Sequence, residues 1–407
     1  MMKKNLLSMY ALACGTAILS CSCMIAPSPP MSPPPSTSLP PPRPNPISLQ
    51  LPEVIYAVPG VEINVYFDNI VLVPNPDAYV FDVICAKGRN DAKRWRFLPK
   101  PEDVGEFKWK VSVYGLTGLV AQAETKIVVA KPDAGKGRKL SVLIVGDSLT
   151  NAGVYPARVF ELMSGDDNPA ITMVGSNGPG YKPQPGGVAH EGWGGWAWKT
   201  FISKTKPHPK ENPTPPNIPS RFLVVDDEGK GTIDLQNYFK LYNNGNPPDI
   251  VTFQLGVNDV FGANDDNLEA RIDDILSSAD VLIAAFRQAA PYAIIGVGLV
   301  TPGAASQDAF GANYACGQTR WQYKKNQHRL NQAMLQKFGQ SADPLLSLIP
   351  THVNLDCENN FPKTTEPVNV GNEAQITRLS NGVHPAPAGY RQIGDTFYAW
   401  MKAQLGR

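Results

Sequence analysis

The segment Gly146-Asp147-Ser148-Leu149-Thr150 follows directly on the apolar run Leu140 to Gly146. Such a run reads as a strand buried on both faces of a parallel sheet, and the break after it as a strand-to-helix turn. A serine at that kind of turn has its hydroxyl exposed and its amide near the positive end of a helix. It is a place for a nucleophile, since the same amide helps to hold an oxyanion as it develops. It is also a place for a plain N-capping serine, and this segment alone does not separate the two.

Three further segments sit at predicted strand ends or in loops: His190-Glu191-Gly192-Trp193-Gly194-Gly195-Trp196, Gly256-Val257-Asn258-Asp259 and Asn381-Gly382-Val383-His384-Pro385. Together with Ser148, and in this order, they resemble the four blocks of the SGNH hydrolases, also called GDSL hydrolases. The resemblance spans nearly all of residues 140–407. One block alone is weak, whereas four in order are specific. The resemblance implies an esterase in which Ser148 is the nucleophile and His384 takes its proton and returns it to the leaving alcohol. The amides of Ser148 and Gly195 and the side chain of Asn258 would hold the oxyanion, one such donor stabilising the transition state by about 3 kcal/mol.

The chain departs from the family pattern once. Three residues before the histidine the family usually has aspartate, and here Asn381 stands there. An amide orients an imidazole but does not offset its charge; in serine proteases the same exchange costs about 10⁴ in turnover. Three readings follow. The His384 ring is held by a backbone carbonyl in a Ser-His dyad; another acid reaches it, with Glu191 as the candidate; or the enzyme is slow or inactive.

These residues need a scaffold. Apolar runs recur at Ile171–Val174, Ile250–Leu255, Ala293–Val300 and Leu345–Ile349, with helical stretches at Tyr155–Met163, Leu268–Ala289, Arg320–Phe338 and Ala388–Leu405. The alternation predicts a doubly wound α/β domain over 140–407, with a flavodoxin-like, five-stranded parallel sheet. Reactive groups in such a sheet gather beyond the carboxyl ends of the strands. An insertion at about 200–249 holds Pro207, Pro209, Pro213, Pro215, Pro216 and Pro219, and is expected to border the pocket. Trp193, Trp196 and Trp198 beside the oxyanion loop either stack on sugar rings or pack the insertion against the sheet.

Residues 47–131 read as a small all-β sandwich, immunoglobulin-like, joined through a linker at 132–139. Val61–Phe67, Trp95–Leu98 and Phe107–Tyr114 alternate apolar and polar residues as half-buried strands do. Trp95 and Trp109 are expected in its core, sugar stacking being the alternative, and Cys85, in the predicted strand Tyr79–Cys85, as a buried small hydrophobe.

The chain of 407 residues has a formal net charge of +1, with 37 Lys and Arg against 36 Asp and Glu. That balance gives no basic face for nucleic acid, so no nucleic-acid partner is expected. Met1-Met2-Lys3-Lys4 and the apolar stretch Leu6–Leu19 read as a signal peptide over 1–20. Ile18-Leu19-Ser20-Cys21 resembles a bacterial lipobox, which implies lipidation of Cys21, with Cys23 and Cys14 as alternative sites and an ordinary cleaved signal as the other reading. Prolines then fill 11 of the 20 positions from Pro27 to Pro46, the composition of a disordered, extended linker over 21–46. The expected place is the bacterial cell envelope, as an outer-membrane lipoprotein or a secreted protein, with the lipid as the one membrane contact.

Three cysteines lie in the signal region, and of the others Cys316 and Cys357 are placed to pair in an oxidising compartment. No metal-ligand spacing is present, so neither metal nor cofactor is expected. The resemblance to stalked members with a β-sandwich in front implies a secreted esterase that removes acetyl groups from a poly- or oligosaccharide. The alternatives are a lysophospholipase or thioesterase of the same superfamily, and a catalytically impaired glycan-binding surface protein.

Overall fold

The computed structural model describes residues 47–206 and 218–407. Cys21, the signal-like segment, the stretch to Pro46, and Pro207, Pro209, Pro213, Pro215 and Pro216 lie outside the described residues.

From Lys139 onward strands and helices alternate. The strands are β1 (Lys139–Gly146), β2 (Ala170–Val174), β3 (Glu191–Gly192), β4 (Ile250–Gln254), β5 (Ile294–Gly298) and β6 (Leu346–Ile349), all parallel in one sheet. β4, β5 and β6 follow one another on one side of β1. On its other side β2 pairs with Lys139 to Leu143, and β3 with Val145 and Gly146. Each apolar run thus became a strand, while the outer position is divided between two short strands. The chain between them holds Gly178, Pro179, Gly180, Pro183, Pro185 and Gly186, which interrupt strand pairing.

The helices are α1 (Ser148–Asn151), α2 (Val154–Met163), α3 (Trp198–Ser203), α4 (Leu235–Tyr242), α5 (Val257–Phe261), α6 (Leu268–Ala289), α7 (Gln307–Tyr314), α8 (Arg320–Phe338) and α9 (Pro387–Leu405). Register shows that they cover both faces of the sheet. Phe253 pairs with Val297, one residue beyond Gly296, so Phe253 and Gly296 face opposite ways. The Phe253 ring packs on Phe286 of α6, whereas a Cβ on Gly296 would lie 2.7 Å from Trp400 of α9. Being covered twice is why Val142 to Val145 and Ile250 to Phe253 are all buried and all but Thr252 apolar.

Residues 54–129 form two sheets. Val54–Ala57, Gly118–Val129, Gly105–Gly115 and Val80–Cys85 lie side by side in that order, and Ile63–Tyr66, Arg94–Phe97 and Arg89–Asn90 form the second sheet. Their shared apolar cluster includes Ile55, Val65, Trp95, Trp109, Val111 and Ile127. Trp95 and Trp109 meet edge to face at 6.2 Å and are 1% and 0% exposed, so neither offers a stacking face. The same cluster takes in Val353, from the loop after β6. Around it Asn64 N–H donates to Asn354 Oδ1 at 2.8 Å, and Asn69 Nδ2 donates to the carbonyls of His352 and Leu355.

The cysteines differ from expectation. Cys85 is half-buried, because Val80–Cys85 is the outer strand of its sheet with one face towards solvent. Cys316 and Cys357 do not pair; Cys85, Cys316 and Cys357 are all free thiols. Cys316 is exposed, whereas Cys357 is buried with its thiol donating to Asn69 Oδ1 at 3.4 Å, against the seam with the β sheets.

Candidate active site

β1 delivers Ser148 to the carboxyl end of the sheet. Gly146 ends that strand because nothing larger fits: a Cβ there would meet the side chain of Thr150 and the Gln254 carbonyl at under 3 Å. Asp147 then caps α1, its Oδ1 accepting the amide of Leu149 at 2.9 Å. Ser148 is therefore the first residue of a helix, where the backbone N–H has no partner within the helix.

His384 reaches the same point from 236 residues further along the chain. Its Nε2 lies 2.8 Å from Ser148 Oγ. The loop that carries it is fastened by Asn381, whose Oδ1 accepts the backbone N–H of Val383 at 3.1 Å and of His384 at 2.9 Å. Asn381 thus positions the histidine through its backbone, a task an amide oxygen does as well as a carboxylate. Burial lowers the pKa of the His384 imidazole from its ordinary value. It is thereby neutral, and able to accept a proton, at neutral pH.

The oxyanion side is a turn from Trp193 to Trp196, started by the Trp193 amide donating to the Gly146 carbonyl at 3.0 Å. Gly195 lies in this turn with φ +77°, a left-handed conformation that glycine adopts without strain, and it is exposed. Asn258, in the first turn of α5, donates from Nδ2 to the Trp196 carbonyl at 2.9 Å. Its amide group carries a second N–H. Ser148, Gly195, Asn258 and His384 thus belong to elements joined by direct hydrogen bonds.

Glu191 is not the displaced acid. Its carboxylate is fully buried and accepts four donors: Trp193 Nε1 at 2.7 Å, Tyr238 OH at 2.8 Å, and the amide and hydroxyl of Ser176, both at 3.0 Å. Burial raises its pKa, and these donors offset only part of the rise. A carboxylate with this many donors is a clamp on the turn that presents Gly195. One of the donors, Tyr238, comes from α4 in the insertion. Sequence reading weighed Glu191 for another role and missed Tyr238; the signal was a carboxylate inside an otherwise apolar, glycine-rich block.

The three tryptophans are settled as packing. Trp193, Trp196 and Trp198 are 4%, 5% and 1% exposed. Trp196 packs on Phe201, and Phe201 on Phe222 of the insertion. Two more carboxyls lie beneath the site. Burial, with the Asp259 charge nearby, pushes Asp147 up to about 7, and burial pushes Asp259 up to about 6 while its Oδ1 accepts the Trp198 amide. Among the described residues no three His, Cys, Asp or Glu side chains converge as a metal site requires, and no helix is long and apolar enough to cross a membrane.

Residues 142–397 match the family of GDSL-like lipases and acylhydrolases, more than half of the chain. The chain belongs to this family. Among solved structures it is similar to a carbohydrate esterase of family 3 from Talaromyces cellulolyticus, at 18% identity over 65% of this chain and 98% of that one, TM-score 0.37. It is also similar to a family 3 carbohydrate esterase of Clostridium thermocellum, at 16% identity over 66% of this chain and 100% of that one, TM-score 0.39. No curated protein matches it. Membership makes this GDSL-family chain a hydrolase of the esterase and acylhydrolase kind.

Proposed function

We propose that this GDSL-family protein hydrolyses carboxylic esters through an acyl-enzyme on Ser148, and that its substrate is an O-acetylated carbohydrate. One observation carries the reading: the 2.8 Å approach of His384 Nε2 to Ser148 Oγ. In this mechanism Ser148 Oγ attacks the ester carbonyl as its proton passes to His384. The amides of Ser148 and Gly195 and the Asn258 side chain hold the oxyanion. Collapse expels the alcohol, which takes the proton from His384, and water then repeats the sequence on the acyl-enzyme.

A hydroxyl-rich alcohol is supported by what flanks the site. An antiparallel hairpin, Lys363–Asn369 and Asn372–Leu379, stands out from the sheet and leads into the His384 loop. Between it and α7 lies a cleft of about 490 Å³ lined by Gln307, Asp308, Thr364, Glu366, Arg378 and Ser380 among others. A second cleft, reaching Asn258, is lined mostly by polar side chains too. The polar side chains in these walls offer hydrogen bonds to sugar hydroxyls.

p-Nitrophenyl esters of increasing acyl length test the acyl group. A sharp fall in kcat/KM beyond about three carbons is expected, and a preference for about eight or more favours a lysophospholipase or thioesterase. Asn258→Ala should lower kcat by about 10²–10³ with little change in KM, as loss of one oxyanion donor does; an unchanged kcat removes Asn258 from the mechanism. We also place the protein at the cell envelope through a lipid on Cys21, which palmitate labelling of the expressed chain would reveal and a Cys21→Ser control would abolish.

The orienting group is tested by pH. Only neutral His384 accepts the Ser148 proton, so activity is lost as pH falls through its pKa. Since burial lowers that pKa, the acid limb of kcat/KM should lie below the ordinary imidazole value of about 6.5. Asn381→Asp keeps an oxygen for the loop amides and adds a charge that stabilises imidazolium. The limb should move to higher pH, and a Ser-His dyad predicts a change in limiting rate of less than about tenfold, where an imidazole dependent on the missing acid predicts up to about 10⁴.

A further inference from the structure

A larger cleft lies where the β sheets of residues 54–129 meet the α/β domain. It encloses about 810 Å³, against about 490 and 560 Å³ for the clefts beside the hairpin and Asn258. That is within the range of small-molecule sites, which favour domain boundaries. Ser148, Gly195, Asn258 and His384 do not line it. The β sheets give it aromatic rings. Phe81 stacks on Phe67 with centroids 4.8 Å apart and planes 4° apart. Phe67 is 2% exposed and Phe81 half-buried, so the ring left to the cleft is that of Phe81. Tyr79, also half-buried, stands two residues earlier in extended backbone and so on the same side.

The α/β domain adds polar groups: Asp356, Glu358 and Asn359 from the loop after β6, and Arg320 at the start of α8. They are fixed before any ligand arrives, which lowers the cost of binding. Tyr66 OH donates to Asp356 Oδ2 at 3.2 Å and accepts from Arg94 Nη1 at 2.8 Å. Lys93 Nζ lies 2.9 Å from Asp77 Oδ1 and 3.6 Å from Glu358 Oε2, tying the two domains together at the cleft. Among the described residues, every cation that lines the cleft has a carboxylate partner that lines it too. Lys93 has Asp77 and Glu358, Arg94 has Asp91 at 3.9 Å, and Arg320 has Asp68 at 2.8 Å. The cations are thus already matched, and the ligand that fits is uncharged. The side chains of Asp77 and Glu358 are 61% and 59% exposed. A carboxylate has about four acceptor sites, so both keep lone pairs for hydroxyl donors.

We propose that this cleft binds an uncharged oligosaccharide, with Tyr79 and Phe81 packing on its apolar ring faces and Asp77 and Glu358 accepting from its hydroxyls. The site gives the β sheets a task beyond support, and neither domain forms it alone. A peptide matches it less well. A proline-rich segment, the usual occupant of aromatic-lined grooves, has few N–H groups to give these oxygens. Strand addition beside Phe81 is blocked, because Asn90 Nδ2 already donates to the Phe81 carbonyl at 3.0 Å. The proposal goes beyond the esterase reading and does not depend on it.

The test is calorimetric titration of the full chain with cellohexaose, xylohexaose and N-acetylchitohexaose, none of which carries an ester. At least one should bind with a Kd of about 1 mM or tighter, and its affinity should hardly change with salt. Asp77→Ala with Glu358→Ala should weaken binding about tenfold or more, and Tyr79→Ala comparably. Both acids are exposed, so the thermal midpoint of the double variant should stay near that of the wild type, and its loss then reads binding rather than folding. Failure of all three sugars to bind, or an affinity untouched by either variant, overturns the proposal. So does tighter binding of hexagalacturonate than of any neutral sugar. Decaproline bound in place of the sugars, and lost in Tyr79→Ala, would make the cleft a peptide groove and overturns it as well. Absence of p-nitrophenyl acetate turnover would count against the esterase reading alone and leave this titration as it stands.

Discussion

Ser148→Ala should lower the turnover of p-nitrophenyl acetate by about 10⁴-fold or more while leaving the thermal midpoint almost unchanged. Removal of a nucleophile that acts with its base costs about 2 × 10⁶ in kcat in a protease with a complete triad. An activated ester hydrolyses far faster without an enzyme than a peptide amide does, so there is less acceleration to lose, which sets the lower figure. The fold should not notice, because the lost atom is one half-buried oxygen whose bond goes to His384. His384→Ala should fall to nearly the same level, and the double variant little further, since the two residues act as a unit. Retention of more than about a tenth of the wild-type rate in Ser148→Ala would remove the acyl-enzyme mechanism. Absence of ester turnover in the wild type would favour a surface protein built on a decayed hydrolase fold.

Glu191→Ala should be the most damaging single change outside the dyad. It leaves the indole N–H of Trp193, the hydroxyl of Tyr238 and two donors of Ser176 facing a space with no acceptor. Each buried donor left without an acceptor costs roughly 1–3 kcal/mol, and the four together are a large part of the roughly 5–15 kcal/mol by which domains are stable. Glu191→Gln keeps the shape but turns an NH₂ towards donors, and should recover part of the loss. Chemical denaturation gives the stability, and kcat for whatever remains folded gives the second consequence. The clamp holds Trp193, which begins the Gly195 turn, so kcat should fall in both variants beyond what unfolding explains. A stable Glu191→Ala protein with normal turnover would show that the turn holds itself.

What could be read directly lay in local pattern. The apolar runs at Leu140, Ile250 and Ala293 became strands because a parallel sheet covered on both faces requires continuous apolar residues. The helices over Leu268–Ala289 and Arg320–Phe338 match their expected bounds, and the other two expected ones lie within a residue of them. Ser148 could be singled out from its turn, and His384, Asn258 and Gly195 through the order of four short blocks. Each depends on neighbours within a few residues, which a sequence displays.

The rest depended on partners far along the chain. Cys316 and Cys357 both lie in loops and looked equally able to pair, but only the fold decides that one faces solvent and the other the seam at Asn69. Glu191 stands in the block where an acid was sought, and it is the approach of Tyr238, 47 residues on, that makes it a clamp. Asn381 looked like a damaged catalytic acid; its oxygen turns out to fasten the loop that brings His384 to Ser148. Sequence by itself determined which residue types stand at the strand ends, because periodicity and short-range turn chemistry are written in consecutive residues. Tertiary structure alone decided what each of those residues touches. A side chain's hydrogen-bond partner, its burial and hence its pKa are set by elements that sequence separates and packing brings together.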